Sequence, residues 1–173
     1  IFYFYSIDQR AINAALILSN EINYVDKFNV LNIDHHNSWS LTLHTLKLLI
    51  NLNINLKLLN FIILFVCLCM SSFGIFFISK TLSGNIFISL CITCFIIIGN
   101  INFGNLDYPV LLISEHTTGM IGQACAILVF GLIADRKINT AILLSVLTFG
   151  FHIIIGTWLI TILLLSIYIF KEK

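Results

Sequence analysis

The chain has 173 residues, 59% hydrophobic and only 10% charged, with a mean hydropathy of +1.02 and a formal net charge of +1. A soluble domain carries about a quarter charged residues. At less than half that share the surface cannot be covered with ionised groups, and the surrounding solvent is expected to be largely lipid. The near-neutral balance gives no electrostatic reason to expect nucleic acid or an acidic partner.

The opening Ile1–Tyr5 is apolar and reads as the tail of a hydrophobic segment that begins upstream, so the chain is read as a fragment and the lack of a signal peptide carries no weight. Asp8-Gln9-Arg10 follows, and Ala11–Leu18 suits a short helix with Asp8 near its N-terminus, where a carboxylate complements the helix dipole. Residues 20–37 are polar, include Asp26, Asp34, His35 and His36, and predict a loop with short helical pieces. Ser38 can cap a helix starting at Trp39 and carrying Leu41, Leu43, Leu46, Leu48, Leu49 and Ile50. His44 and Lys47 interrupt it, so it is placed at the membrane interface with Trp39 at headgroup depth, a tilted, sheltered span being the alternative. Asn51, Asn53 and Asn55 alternate with Leu52, Ile54 and Leu56, which breaks the helical period and marks a connection.

Leu58–Ser79 is uncharged, is bracketed by Lys57 and Lys80, and is long enough to cross a hydrocarbon core of about 30 Å. Thr81–Asn85 predicts a tight turn, and Ile86 to about Ile101 a second, short span. A polar loop over 100–116 brings Asp107, Pro109, Glu115 and His116. Thr117–Ala134 is the third span, with Gly119, Gly122, Ala124, Ala126 and Gly131 supplying the small residues that permit close helix contact. After Asp135-Arg136-Lys137, the uncharged run Ile138–Phe170 is longer than one span needs. A bend between Gly150 and Trp158 is expected, because His152 is costly at the bilayer centre.

The predicted fold is therefore an all-α polytopic transmembrane helix bundle. Residues 1–57 form the end of a truncated span with external loop and interfacial helices, and residues 58–173 form four to five spans of a multi-pass cell-membrane protein. Lys80, Arg136, Lys137, Lys171 and Lys173 then fall on the cytoplasmic side. Asp8, Asp26, Asp34, His35, His36, Asp107, Glu115, His116 and His152 fall on the other, as does Lys57, against the trend.

Carboxylates and imidazoles are the usual general bases and metal ligands. The candidate catalytic residues are Asp8, Glu115, His116 and His152, expected to converge on one cavity at the external face. Each has a bland alternative: a helix cap for Asp8, a dipole-complementing carboxylate for Glu115, an interfacial polar residue for His116, a structural imidazole for His152. Asp34-His35-His36 has metal-ligand residue types, but adjacent ligands rarely share an ion and no HExxH spacing is present. Cys91-Ile92-Thr93-Cys94 has the spacing of redox and metal sites, yet all five cysteines lie in apolar runs and read as small buried residues. Phosphate loops, nucleophile elbows and basic–aromatic interleaving are lacking, which removes soluble cofactor enzymes and nucleic-acid binders.

Three features together, the acid of Tyr5-Ser6-Ile7-Asp8-Gln9 after a hydrophobic segment, Ser114-Glu115-His116-Thr117-Thr118-Gly119-Met120-Ile121-Gly122, and the run Ala141–Gly156 holding His152, resemble bacterial multi-pass envelope proteins related to GT-C glycosyltransferases. The resemblance is one of layout and covers most of the chain. Gln9 stands where that family has the second of two adjacent acids. The resemblance implies transfer of a sugar from a polyprenyl-phosphate-linked donor at the external face, with Asp8 as base. Glu115, His116 and His152 would line the pocket for the lipid-linked phosphate, whose charge imidazolium or a divalent cation would offset. The competing classes are a transporter with an intramembrane proton or substrate path, and a non-catalytic membrane scaffold.

Overall fold

The computed structural model describes residues 10–21, 40–99 and 118–171, and among these every regular element is helical. In chain order they are α1 (Arg10–Leu18), α2 (Leu41–Asn51), α3 (Leu56–Ser83), α4 (Ile86–Gly99), α5 (Thr118–Ala134), α6 (Ile138–Phe151) and α7 (Ile153–Lys171). The all-helical expectation holds.

The helix α3 is the axis of the fold. Asn55 starts it, its side chain accepting from the Lys57 backbone N–H at 2.9 Å, and Gly84 ends it in the left-handed conformation (φ 65°). Its 28 residues exceed the turn boundary expected from sequence, because Thr81 to Ser83 continue the helix; only Gly84 and Asn85 remain for the turn. Asn85 opens α4 at once, its carboxamide oxygen accepting from the Phe87 and Ile88 N–H groups at 2.8 and 3.3 Å. Hence α4 returns along α3, against which it packs.

On its other side α3 meets α5. Leu64 and Cys67 pack with Met120 and Ala124 near the start of both helices. Gly74 lies against Ile127 and Gly131 midway. Near the end Thr81 Oγ1 donates to the Ala134 carbonyl at 3.1 Å. The contacts advance together, so α3 and α5 run parallel. The turn Asp135–Lys137, with Arg136 at φ 61°, sends α6 back. At His152 the chain reverses again, and Leu159 of α7 joins Val129, Leu132 and Ala141 in one buried cluster. The expected bend thus falls at His152, inside the predicted window, and Gly156 lies directly against the Phe149 backbone.

Two ends follow from this course. Lys80, Asp135, Arg136 and Lys137 share one. The starts of α3 and α5 and the α6–α7 bend share the other, where α1 and α2 form a separate layer: Ile12 and Ala15 of α1, Leu46 and Ile50 of α2 and Leu59 of α3 make one core. The helix expected from Trp39 begins at Leu41 instead, with Ser40 at its N-cap. The Ser40 hydroxyl makes no cap bond; with Thr42 it donates across the fold to the Phe151 carbonyl, at 3.5 and 3.3 Å.

Of the expected four to five spans, helix length supports one among the described residues. Only α3 is both long and apolar enough to cross a membrane among the described residues. The 14-residue helices α4 and α6 extend about 21 Å at 1.5 Å per residue, short of a core of about 30 Å. Dividing 138–170 at His152 is one cause: it leaves α6 below spanning length.

Candidate functional site

Of the four candidate residues, His152 lies within the described residues; Asp8, Glu115 and His116 lie outside them, as does the Asp34-His35-His36 cluster. His152 is half-buried in extended backbone (φ −148°, ψ 101°) between two helices, and it serves both. Its N–H donates to the Thr148 carbonyl at 2.8 Å and completes α6. Its C=O accepts the Gly156 N–H at 2.9 Å and opens α7. Its ring Nδ1 accepts the Ile155 N–H at 3.4 Å, satisfying one of the donors that the first turn of any helix leaves unpaired.

That last bond fixes what the imidazole can do. An accepting Nδ1 carries no proton, so in the neutral ring the proton sits on Nε2. The nitrogen left for a ligand is then a donor. It suits a phosphate or carbonyl oxygen, and it does not suit removal of a proton from a substrate hydroxyl. The ring also sits on bare backbone: a Cβ at Gly122 of α5 would stand 2.8 Å from His152 Cβ and 2.7 Å from Ile155 Cδ1. Gly122 was legible as a small residue for helix contact; its partner was not.

At the opposite end Asp135 binds two lysines, Lys137 Nζ at 2.8 Å and Lys80 Nζ at 3.5 Å. Lys137 Nζ also stands 4.5 Å over the Phe77 ring, a cation–π contact. The Lys137 hydrogen bond, reinforced by the charges of both lysines, holds the Asp135 carboxyl below the ordinary carboxylate range. This is a clamp joining the end of α3 to the α5–α6 turn.

A third feature escaped the sequence reading. An open cleft of about 670 Å³ runs over α3 between α4 and α5, walled by Ile75, Ile78, Ile92, Ile96 and Ile127, with Ser79, Ser83 and Gln123 as polar points. Gln123 was visible as the one carboxamide in an otherwise apolar run, but its face of α5 was not. Because Gln123 follows Gly122 by about 100° around the helix, the cleft and His152 occupy different sides of α5. Among the described residues no three His, Cys, Asp or Glu side chains come together to hold a metal. Cys91 and Cys94 are exposed free thiols on α4, against the expectation that they are buried; Cys67 and Cys125 are buried as expected. The reason is that, among the described residues, α4 packs mainly on α3, so most of its circumference stays uncovered.

Comparison with protein-family models, with curated proteins and with solved structures finds no match to this chain.

Proposed function

We propose that the chain is part of a multi-pass membrane protein in which α3–α7 lie in the bilayer, α1 and α2 cover one end, and that end carries a site for a lipid-linked phosphate in a GT-C-like sugar transfer. The observation that carries the membrane reading is the uncovered apolar surface. Only 22% of the most apolar window of α3 is buried, whereas the core helix of a soluble protein would be mostly buried. Phe87, Phe95 and Ile98 on α4 are 79%, 71% and 84% exposed, and Trp158 and Tyr168 on α7 are also open. At about 25 cal/mol per Å² such area is unfavourable in water and neutral in hydrocarbon. Helices shorter than the bilayer core are accommodated by local thinning and by flanking polar groups.

The activity follows from the resemblance and from the chemistry at His152. Nε2–H at the end opposite the lysine clamp suits donation to a phosphate oxygen, while Asp8 supplies the base. A scaffold reading is favoured by one observation. The hydroxyls of Ser72, Ser89, Thr93, Ser145, Thr148, Thr157 and Thr161 each donate to the carbonyl four residues earlier in the chain. Most satisfy their own helices, and among the described residues only the Ser83–Ser89 and Cys125–Thr148 pairs join such a hydroxyl to a neighbouring helix, which also counts against a transporter.

Membranes from cells making the protein, supplied with radiolabelled polyprenyl-phosphate sugars, separate the two readings. Turnover above the vector control that D8N abolishes and H152A reduces about 10- to 100-fold supports sugar transfer. Full function of a triple D8N/E115Q/H116Q variant in any cellular assay that depends on the protein removes the enzyme reading and leaves the scaffold.

A further inference from the structure

We propose that His152 is a proton-sensitive joint: neutral, it closes the bend between α6 and α7; protonated, it releases the first turn of α7 from α5. The inference is independent of the sugar-transfer reading.

The argument begins with what an N-cap must do. It must accept a hydrogen bond from the first turn while its backbone stays extended and its carbonyl opens the helix. His152 meets all three conditions: φ −148° and ψ 101°, its carbonyl accepting from Gly156, and Nδ1 accepting from Ile155. Asn, Asp, Ser and Thr usually fill this role, and none of them gains a positive charge on acidification. Imidazole does. Imidazolium has no acceptor, so protonation removes the Ile155 bond. It also places a positive charge at the positive end of the α7 dipole. The two effects have the same sign: the closed bend is complete while the ring is neutral and weakens as pH falls.

Geometry decides where the loss is felt. Ile155, whose N–H is capped, is also the residue whose Cδ1 would meet a Cβ at Gly122, and His152 Cβ is the other. The cap and the α5–α7 contact are therefore built from the same turn. Phe151, the residue before His152, holds the α2 layer through Ser40 and Thr42. Among the described residues, the elements packed around the bend carry few other groups that change charge. These are Cys125 on α5, hydrogen-bonded to Thr148 of α6, and His44 on α2. Lys47 also lies on α2, and Asp135, Lys137, Tyr168 and Lys171 belong to the opposite end or to the remote part of α7. His44 is thus the other described imidazole on an element packed at the bend, and it serves as the control.

The test is hydrogen–deuterium exchange of the full chain in lipid nanodiscs at about pH 8 and about pH 5, corrected for the intrinsic pH dependence of amide exchange. Loss of a cap together with an adverse dipole term corresponds to about a tenfold change in the open-to-closed ratio. Peptides covering Ile153–Trp158 should therefore lose about tenfold in protection at the lower pH, while Leu64–Met70 in α3 should not change. His152→Asn, which caps without titrating, should stay protected at both values. His44→Gln should keep the wild-type response. Equal protection of wild-type Ile153–Trp158 at both pH values overturns the proposal. So does an equal loss in α3, a response that persists in His152→Asn, or one that disappears in His44→Gln.

Discussion

A methyl group added at Gly131 tests the axis of the fold. Its carbon would stand 2.6 Å from both Cα and O of Gly74, on the facing helix. Carbon contacts are comfortable from about 3.5 Å, so α3 and α5 must part by about 1 Å or rotate. Both atoms belong to backbone, so no side chain can swing away. A gap of that size forfeits a quarter to a half of the dispersion energy of each contact along the seam, from Leu64 and Met120 to Thr81 and Ala134. In lipid this packing is the main force between helices. The expected loss for Gly131→Ala is about 2 kcal/mol, in the range for overpacked cores. Gly74→Ala should cost a similar amount, since its Cβ would collide with the Ile127 carbonyl group. The double variant should cost less than the sum, because once the helices part both methyl groups have room.

Unfolding in mixed micelles, followed by circular dichroism across a denaturing-detergent series, measures these differences. Leu143→Ala is the control; Leu143 is 62% exposed on α6, so its truncation should stay within about 0.5 kcal/mol. If Gly131→Ala unfolds within that same margin of wild type, α3 and α5 do not pack backbone to backbone and the parallel pairing is wrong.

Asp135→Asn should loosen the α5–α6 turn, seen as faster amide exchange at Ala134–Lys137. The wild-type clamp should be fully present above the ordinary carboxylate value, near pH 4, and lost as pH falls through the lowered one, because the folded state holds this carboxyl ionised. Thr42→Val removes a donor to the Phe151 carbonyl and should detach α2 from the bundle by about 1 kcal/mol, read as increased protease cleavage near Ser40. In a cysteine-free background, single cysteines at Asn85 and Arg136 should react with an impermeant thiol reagent from one side of the membrane, and one at Lys57 from the other; labelling of all three from a single side refutes the multi-pass arrangement.

The helices were legible where one physical signal governed them. An uncharged run between Lys57 and Lys80 predicts one long apolar helix, and α3 fills it with a few residues to spare. Ends were less legible. Ser38 and Ser40 are equally good caps by type, and nothing local says that Ser40 and Thr42 will bond a carbonyl 109 to 111 residues away. Burial of the cysteines failed on α4 for a related reason. Composition says that Cys91 and Cys94 sit in an apolar helix, but only the packing order, with α4 mainly against α3, says that they face outward.

His152 shows how a correct expectation can rest on half of its cause. The sequence argument located a bend there because a histidine is costly amid hydrocarbon, which treats the ring as a passenger that the chain must carry to an interface. In the structure the ring also caps the helix that follows the bend. A helix that stops and restarts leaves carbonyls and N–H groups unpaired on both sides of the break, and in an apolar surround each would cost several kcal/mol. His152 answers with its N–H, its C=O and Nδ1, so the residue that most needs the break also lowers its cost. His152→Leu separates the two roles. If polarity alone set the break, leucine would let α6 and α7 fuse into one helix of spanning length, and a label pair at Leu143 and Leu164 would move far apart. If Gly156 against Phe149 and Gly122 beneath Ile155 hold the reversal, the pair stays close and only the first turn of α7 frays. The backbone contacts at Gly156 and Gly122 are tight, so the second outcome is expected, and fusion of the two helices would refute it.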